Sequence, residues 1–252
     1  MRFRLQFFVF SLMLVLFACE KKESTPELSM LPPFMDEVFY FRGYVTDSNK
    51  ELVSDIYNFT RQLVDKDTVD GKILSVYLSQ GKRTPFYRDK NGTVYQKNTE
   101  NIGLRVIPYG MSFLKPIEIS YWQTMLKIDD GMESEWSLEV DTTFQVLAQN
   151  GKPQQIRYIH KGSAKYNGWT STFIPAAKRA VEVLDAHWFD LQTHLINVTA
   201  GDTLYSSLGD AHYYFTEHFG AVKFIHDFVK KETGKPEVKL YSTWEHVSRF
   251  EK

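Results

Sequence analysis

Residues 135–148 read Glu135-Trp-Ser-Leu-Glu-Val-Asp-Thr-Thr-Phe-Gln-Val-Leu-Ala148, and this stretch decides the fold. Trp136, Leu138, Val140, Phe144 and Val146 alternate with Glu135, Ser137, Glu139, Asp141 and Gln145, with Thr142 in the apolar register. Strict alternation puts one set on a buried face and the other in water, which is the signature of a half-buried antiparallel strand. Turn signals at Gly131 and Gly151 leave room for a strand of about 15 residues, about 50 Å at 3.3 Å per residue. Strands commonly have about 5–6 residues, so this one is long. A long, twisted strand with one apolar side curls rather than lying flat.

The same pattern continues in both directions. Leu74, Val76 and Leu78 alternate with Ser75, Tyr77 and Ser79, and Val222, Phe224, His226 and Phe228 repeat the spacing, as do Val238, Leu240 and Trp244. Asp70-Gly71, Asn91-Gly92, Asp130-Gly131, Asn150-Gly151, Asn167-Gly168 and Gly234-Lys235 supply the residues that tolerate hairpin geometry. No internal repeat of solenoid length is present. The expected fold is mainly β, with long antiparallel strands forming a curved half-barrel or barrel. One segment reads differently. After Pro175, the residues Ala177, Ala180, Val181, Leu184, Trp188, Leu191 and Leu195 follow helical spacing, so periodicity favours a helix near 176–194. Val181, Val183, Phe189 and Leu191 also allow strands.

Composition narrows the function classes. The chain has 252 residues, 43% of them hydrophobic and 15% aromatic, enough to bury a sizeable core. Thirty Lys+Arg against 31 Asp+Glu leave a formal charge of −1, which gives no basic field for nucleic acid. The single cysteine excludes a disulfide framework and any multi-cysteine metal site.

That cysteine sits at the end of MRFRLQFFVFSLMLVLFAC. Arg2 and Arg4 form a positive start, Leu5 to Phe17 an apolar run too short for a bilayer-spanning helix of about 20 residues. Cys19 follows directly on Leu16-Phe17-Ala18, and this resembles the lipobox of bacterial lipoproteins, with Phe17 a bulkier residue than is usual at its position. The resemblance implies cleavage before Cys19 and lipidation of its sulfur, leaving no thiol chemistry. Several acyl chains anchor a protein firmly, whereas one binds marginally. The expected organisation is a signal peptide over 1–18, lipidated Cys19 with a flexible tether over 19–35, and a single β domain over 36–252. The charged Glu20-Lys21-Lys22-Glu23 resembles the cluster after the lipidated cysteine in many Bacteroidota lipoproteins.

Two further segments resemble a pattern in small Bacteroidota lipoproteins of unassigned function. They are VDKDTVDGKILSVYL followed by YRDKNGTVYQ, and YYFTEHFGAVKF. The resemblance implies a curved antiparallel sheet that cradles something, broadly similar to the LolA-type lipoprotein carriers of the periplasm. It supplies no catalytic residues.

Candidate chemistry is sparse. His160, His187, His194, His212, His218, His226 and His246 all lie in the last two fifths of the chain, but no His-Glu-x-x-His and no tight His-x-His occurs. His187 and His194 share a face if their segment is helical. If Gly220 closes a hairpin, His212 and His226 face each other across two strands, close enough to share an ion. Ordinary surface or hydrogen-bonded core histidines are the simpler account. Asp65-Lys66-Asp67-Thr68-Val69-Asp70-Gly71 has the acids of a calcium loop at the wrong positions, with Val76 where the closing Glu belongs. Glu133, Glu135, Glu139 and Asp141 could pair for glycoside hydrolysis, but the last three alternate against an apolar face as a solvated outer side does. No nucleophile elbow, phosphate loop or dinucleotide fingerprint is present. The expectation is therefore no catalytic residue, no metal and no cofactor.

The aromatic residues are the positive signal. Phe34, Phe39, Tyr40, Phe41, Tyr44, Trp122, Trp136, Trp169, Trp188, Tyr213, Tyr214, Phe215 and Trp244 either fill a core or line a concave apolar pocket. The leading expectation is a lipid-anchored envelope protein, at the outer membrane, that binds or carries a hydrophobic ligand such as a lipid. The alternative is a structural lipoprotein that docks an envelope partner. An envelope hydrolase using the histidines and acids ranks last. The expected partners are the membrane, reached through the anchor, and a hydrophobic ligand or envelope protein, with no nucleic acid.

Overall fold

The structure, a computed structural model, describes residues 37–69, 72–89, 93–127, 134–216 and 220–248. Cys19, the leader and the tether lie outside the described residues, as do His218, Glu133 and Phe34.

The strands are β1 (Val38–Asp47), β2 (Tyr57–Val69), β3 (Lys72–Ser79), β4 (Lys82–Arg88), β5 (Val94–Asn101), β6 (Met111–Ser112), β7 (Glu118–Leu126), β8 (Glu135–Ala148), β9 (Pro153–Ile174), β10 (Arg179–Asn197), β11 (Asp202–Thr216), β12 (Gly220–Glu232) and β13 (Val238–Val247). They form one antiparallel sheet in the order β6-β8-β9-β10-β11-β12-β13-β1-β2-β3-β4-β5-β7. The first and last strands thus meet in the middle of the sheet, where β1 pairs with β13. A 3-10 helix, Ile102–Tyr109, joins β5 to β6, and a shorter one, Pro175–Ala177, joins β9 to β10.

The curved antiparallel sheet expected from the sequence is therefore present, and it is not closed into a barrel. The open seam lies between β7 and β8, which are consecutive in the chain but sit at opposite sides of the sheet. The two edges nevertheless approach. Met125 and Leu126 of β7 share one apolar cluster with Trp136 and Leu138 of β8, and the Lys127 amide donates to the Tyr166 hydroxyl at 3.0 Å. Closure is by side chains rather than by a ladder of hydrogen bonds. Asp130-Gly131, read as one of the hairpin signals, lies outside the described residues, and the strands on either side of it do not pair.

The helix expected near 176–194 is absent: β10 pairs with β9 from Arg179 to Asn197 and with β11 from Leu184 to Asn197. The reason is a bulge. Leu184, Ala186 and Trp188 point inward with strand periodicity, then register shifts between Trp188 and Leu191 bring Leu191 to the same side three residues later. Asp190 takes a positive φ of 53° there. A bulge between two alternating runs imitates helical spacing. Asn167-Gly168 is likewise no turn: it interrupts the long β9, with Gly168 at φ 95° opposite a register shift at Asp185/Ala186. Asn150-Gly151 and Gly234 do turn the chain, at φ 76° and 73°. β8 has 14 residues, close to the expected length, and β9 and β10 are longer still.

Directly paired residues share a face of an antiparallel sheet, so the registers identify the inward side. One row runs Trp136, Ala164, Trp188, Ala211, His226 across five successive strands. Large and small side chains alternate, which lets neighbouring strands come together over a curved face. A second inward cluster unites Ile156, Tyr158, Leu195 and Leu204 with Ile102 and Val106 of the 3-10 helix, so that helix plugs one end of the curl.

Candidate functional site

Most inward side chains are packed, but Arg61 of β2, Tyr213 of β11 and Phe224 of β12 stay partly exposed on the concave face. Phe39 of β1 pairs with Arg61, and Phe41 with Phe59, so all four project inward, as does Leu63 two residues on. β13 contributes Trp244, which continues the row through Phe224 of β12 to Tyr213 of β11.

The rings form a frame. Phe41 and Phe59 stack at 5.1 Å between centroids, and Trp244 stands edge-on to both at 5.4 and 6.2 Å. Trp244 stacks on Phe224 at 5.8 Å, and Tyr213 lies 4.6 Å from Phe224. The Arg61 guanidinium sits over three of these rings, 4.6 Å from Trp244, 4.9 Å from Phe41 and 5.6 Å from Phe59. Ring faces attract a cation, by about 0.5–2 kcal/mol each, which explains how the charge survives there.

Rings accept no conventional hydrogen bond, however, and guanidinium carries five N–H donors. Among the described residues no carboxylate, carbonyl or hydroxyl takes a hydrogen bond or ion pair from Arg61. Burial pulls its pKa down to about 10, so the group remains cationic at neutral pH. Burial also pushes the Tyr213 phenol up to about 12, with Arg61 pulling the other way. Arg61 and Tyr213 sit among these rings on the inward face, yet both keep accessible surface, so the concave face is open here.

A pocket of about 400 Å³ opens next to this frame, lined by Trp169, Ile174, Val181, Thr216, Val222 and His246 among others. His246 is the common wall. Its ring lies 5.4 Å from that of Phe41 and 5.5 Å from that of Phe39. The β9–β10 turn at Pro175–Ala177 borders the same pocket.

Glu100, a charge at the other inward cluster, is treated differently. It accepts from the Tyr121 hydroxyl at 2.8 Å, from Arg105 at 2.7 Å and from the Tyr158 hydroxyl at 3.4 Å. Burial raises its pKa, but the bonds from Tyr121 and Arg105 outweigh that and leave the carboxyl below its ordinary value. Three inward polar atoms are buried with no partner: the indole nitrogens of Trp136 and Trp188, and Nε2 of His226.

The histidines do not assemble as expected. His212 pairs with Ile225, and His226 with Ala211, so His212 and His226 lie on opposite faces. His212 instead faces His187 across β10 and β11, rings stacked at 4.4 Å and 2°. His212 Nδ1 contacts Asp185 Oδ1 at 2.9 Å, and that bond raises its pKa against the opposing effect of burial. His187 Nε2 lies 3.6 Å from Asp210. His187 and His194 share a strand rather than a helix face. Among the described residues no three metal-capable side chains converge.

Asp65 of the suspected calcium loop is engaged by Arg83 at 2.8 Å, and Asp70-Gly71 lies outside the described residues. Glu135, Glu139 and Asp141 project outward into solvent, Asp141 held by Arg157 at 2.9 Å. The aromatic residues divide: Trp136, Trp188 and Phe215 are core, Phe41 and Trp244 frame the hollow, and Trp122 lies on the surface against Tyr87. Arg61 was not singled out by the sequence reading. Its signal is a cation in the inward register of Phe59-x-Arg61-x-Leu63.

These residues define a curved antiparallel sheet, open along one seam, with an aromatic hollow on its inward face and, in it, the Arg61 cation that has no hydrogen-bond or ion-pair partner among the described residues. No family model matches the chain, and no curated protein matches it. A solved structure from Parabacteroides distasonis, described as a "putative lipoprotein", aligns over 86% of this chain and 97% of its own, at 10% identity and a TM-score of 0.45. No helix among the described residues is long and apolar enough to cross a membrane.

Proposed function

We propose that this chain is a lipid-anchored cell-envelope protein whose curled sheet holds a hydrophobic ligand on its concave face. The observation that carries the reading is the hollow: Tyr213 and Phe224 face inward and still keep accessible surface beside Trp244. A core that existed only for stability would close over such rings, because each buries about 150–250 Å². Cys19 supplies the anchor, by the leader that precedes it, and the outer membrane is the proposed address. The role is binding or carriage rather than catalysis.

Native mass spectrometry of the full chain tests the ligand, followed by organic extraction of whatever co-purifies. A hydrophobic molecule at near-stoichiometric occupancy is the expected result. A clean apo mass overturns the reading in favour of a second one, docking of an envelope partner. That alternative has its own support. Leu104 and Ile107 project into solvent from the 3-10 helix, where residues three apart lie on one side, and Leu114 just beyond is 87% exposed. The docking reading predicts that crosslinking in the envelope captures a protein through this surface.

A further inference from the structure

We infer that the hollow selects an anionic amphiphile, with Arg61 binding its oxyanionic head and the aromatic frame holding the apolar body. The inference rests on the ligand-binding reading above and adds the chemical class of the ligand.

The argument is one of donors left over. Burying a guanidinium is costly unless its donors are used. The protein shows how it meets that demand elsewhere: the inward carboxylate Glu100 is met by two tyrosine hydroxyls and Arg105. Arg61 receives only ring faces, from Phe41, Phe59 and Trp244. Those rings accept no conventional hydrogen bond, so among the described residues the guanidinium N–H donors have no protein acceptor and are left for a ligand. A carboxylate or phosphate oxygen pair matches that in-plane fork. An apolar chain attached to such a head would meet Tyr213 and Phe224, which continue the aromatic row away from Trp244. A neutral lipid would leave the donors as they are and gain nothing from Arg61. A cationic one would be repelled.

Two oxyanions fit this geometry, and water-soluble short-chain probes separate them. The full chain is titrated calorimetrically with decanoate, decyl phosphate and decanol. One of the two anions is expected to bind about tenfold or more tighter than decanol, since hydrogen bonds to charged groups carry that much. A preference for decanoate assigns a fatty-acid head, and a preference for decyl phosphate a phospholipid-type head. Either supports the inference. Arg61→Gln should bring the anion down to within about twofold of decanol, and Arg61→Lys should restore part of the difference. Should Arg61→Gln fail to fold, the wild-type selectivity still decides. Equal binding of decanol and the anions, or an anion preference that survives Arg61→Gln, overturns the anionic selectivity while leaving the hollow as a ligand site. Binding of none of the three overturns both.

Discussion

The ring of Tyr57 lies directly over Gly43. The two residues pair across β1 and β2, and a Cβ built on Gly43 would stand 2.1 Å from the Tyr57 Cζ. Gly43 continues the inward row beyond Trp244, so the missing side chain is what lets a large ring fold flat across the strand. Gly43→Ala should therefore destabilise the protein by about 1–3 kcal/mol through overpacking, read as a lower urea midpoint with an unchanged slope. Tyr57→Ala in the same chain should recover most of that loss. A double variant no more stable than Gly43→Ala alone would place the cost elsewhere.

Trp188 tests how the curl is filled. It is 1% exposed, stands edge-on to Trp136 at 6.4 Å, and is flanked by the small Ala164 and Ala211. Trp188→Ala leaves a void the two alanines cannot fill, at an expected cost of about 3–5 kcal/mol. Trp188→Phe should cost clearly less. Its indole nitrogen has no hydrogen-bond partner, so removing that group forfeits no bond while the ring contact survives. Thermal unfolding of both variants checks the order, and a Phe variant as unstable as the Ala variant would contradict it.

The difference between what the sequence disclosed and what it hid follows from period. Trp136 to Val146 lie on one undisturbed strand, so alternation alone disclosed β8 and, with it, a long curled sheet. In β10 the register shift beyond Trp188 breaks the alternation, and a pattern that changes phase once looks helical over a short window. Pairing on both sides settled the matter, and pairing is a long-range property no local window contains. The seam was hidden for the same reason: β7 and β8 are neighbours in the chain, but their partners are β5 and β9. Arg61 was legible in principle, because an inward cation between Phe59 and Leu63 breaks the polar alternation. What could not be read was its lack of a carboxylate partner, since Trp244 and Tyr213 come from strands far along the chain.

Acid should loosen the inward face. Burial holds the His226 imidazole down to about 4, and it also lowers His160 and His246 below the ordinary histidine range. A histidine with a depressed folded pKa takes up its proton more readily when unfolded, so its contribution is intact above about pH 6.5 and is lost as pH falls toward the folded value. For His226 alone the loss at pH 5 is about 2 kcal/mol. His212 works the other way. Its bond to Asp185 raises its pKa, so its contribution is complete below about pH 6.5 and fades as pH rises through the folded value. With His194, also lowered by burial and by Lys161, four lowered histidines outweigh one raised, and the melting temperature should fall between pH 7 and 5. His226→Gln should flatten that fall, whereas His212→Gln should steepen it. A melting temperature independent of pH across this range would refute the burial of the inward imidazoles.

The anchor is tested separately from the ligand, because the residues named for the hollow all lie well beyond it in the chain. β1 begins at Val38, far along the chain from Cys19, and the residues described in the 3-10 plug and the aromatic hollow lie beyond it. Cys19→Ala should abolish incorporation of radioactive palmitate and release the chain from the membrane fraction. The same variant should keep the far-ultraviolet spectrum of a β protein and the same affinity for decanoate or decyl phosphate. The two outcomes belong together. An amphiphile held by acyl chains near Cys19 rather than by Arg61 would be lost along with the label, and retention of binding in Cys19→Ala assigns the ligand to the sheet. Palmitate labelling that persists in Cys19→Ala would remove the lipobox reading while leaving the hollow and its cation where they are.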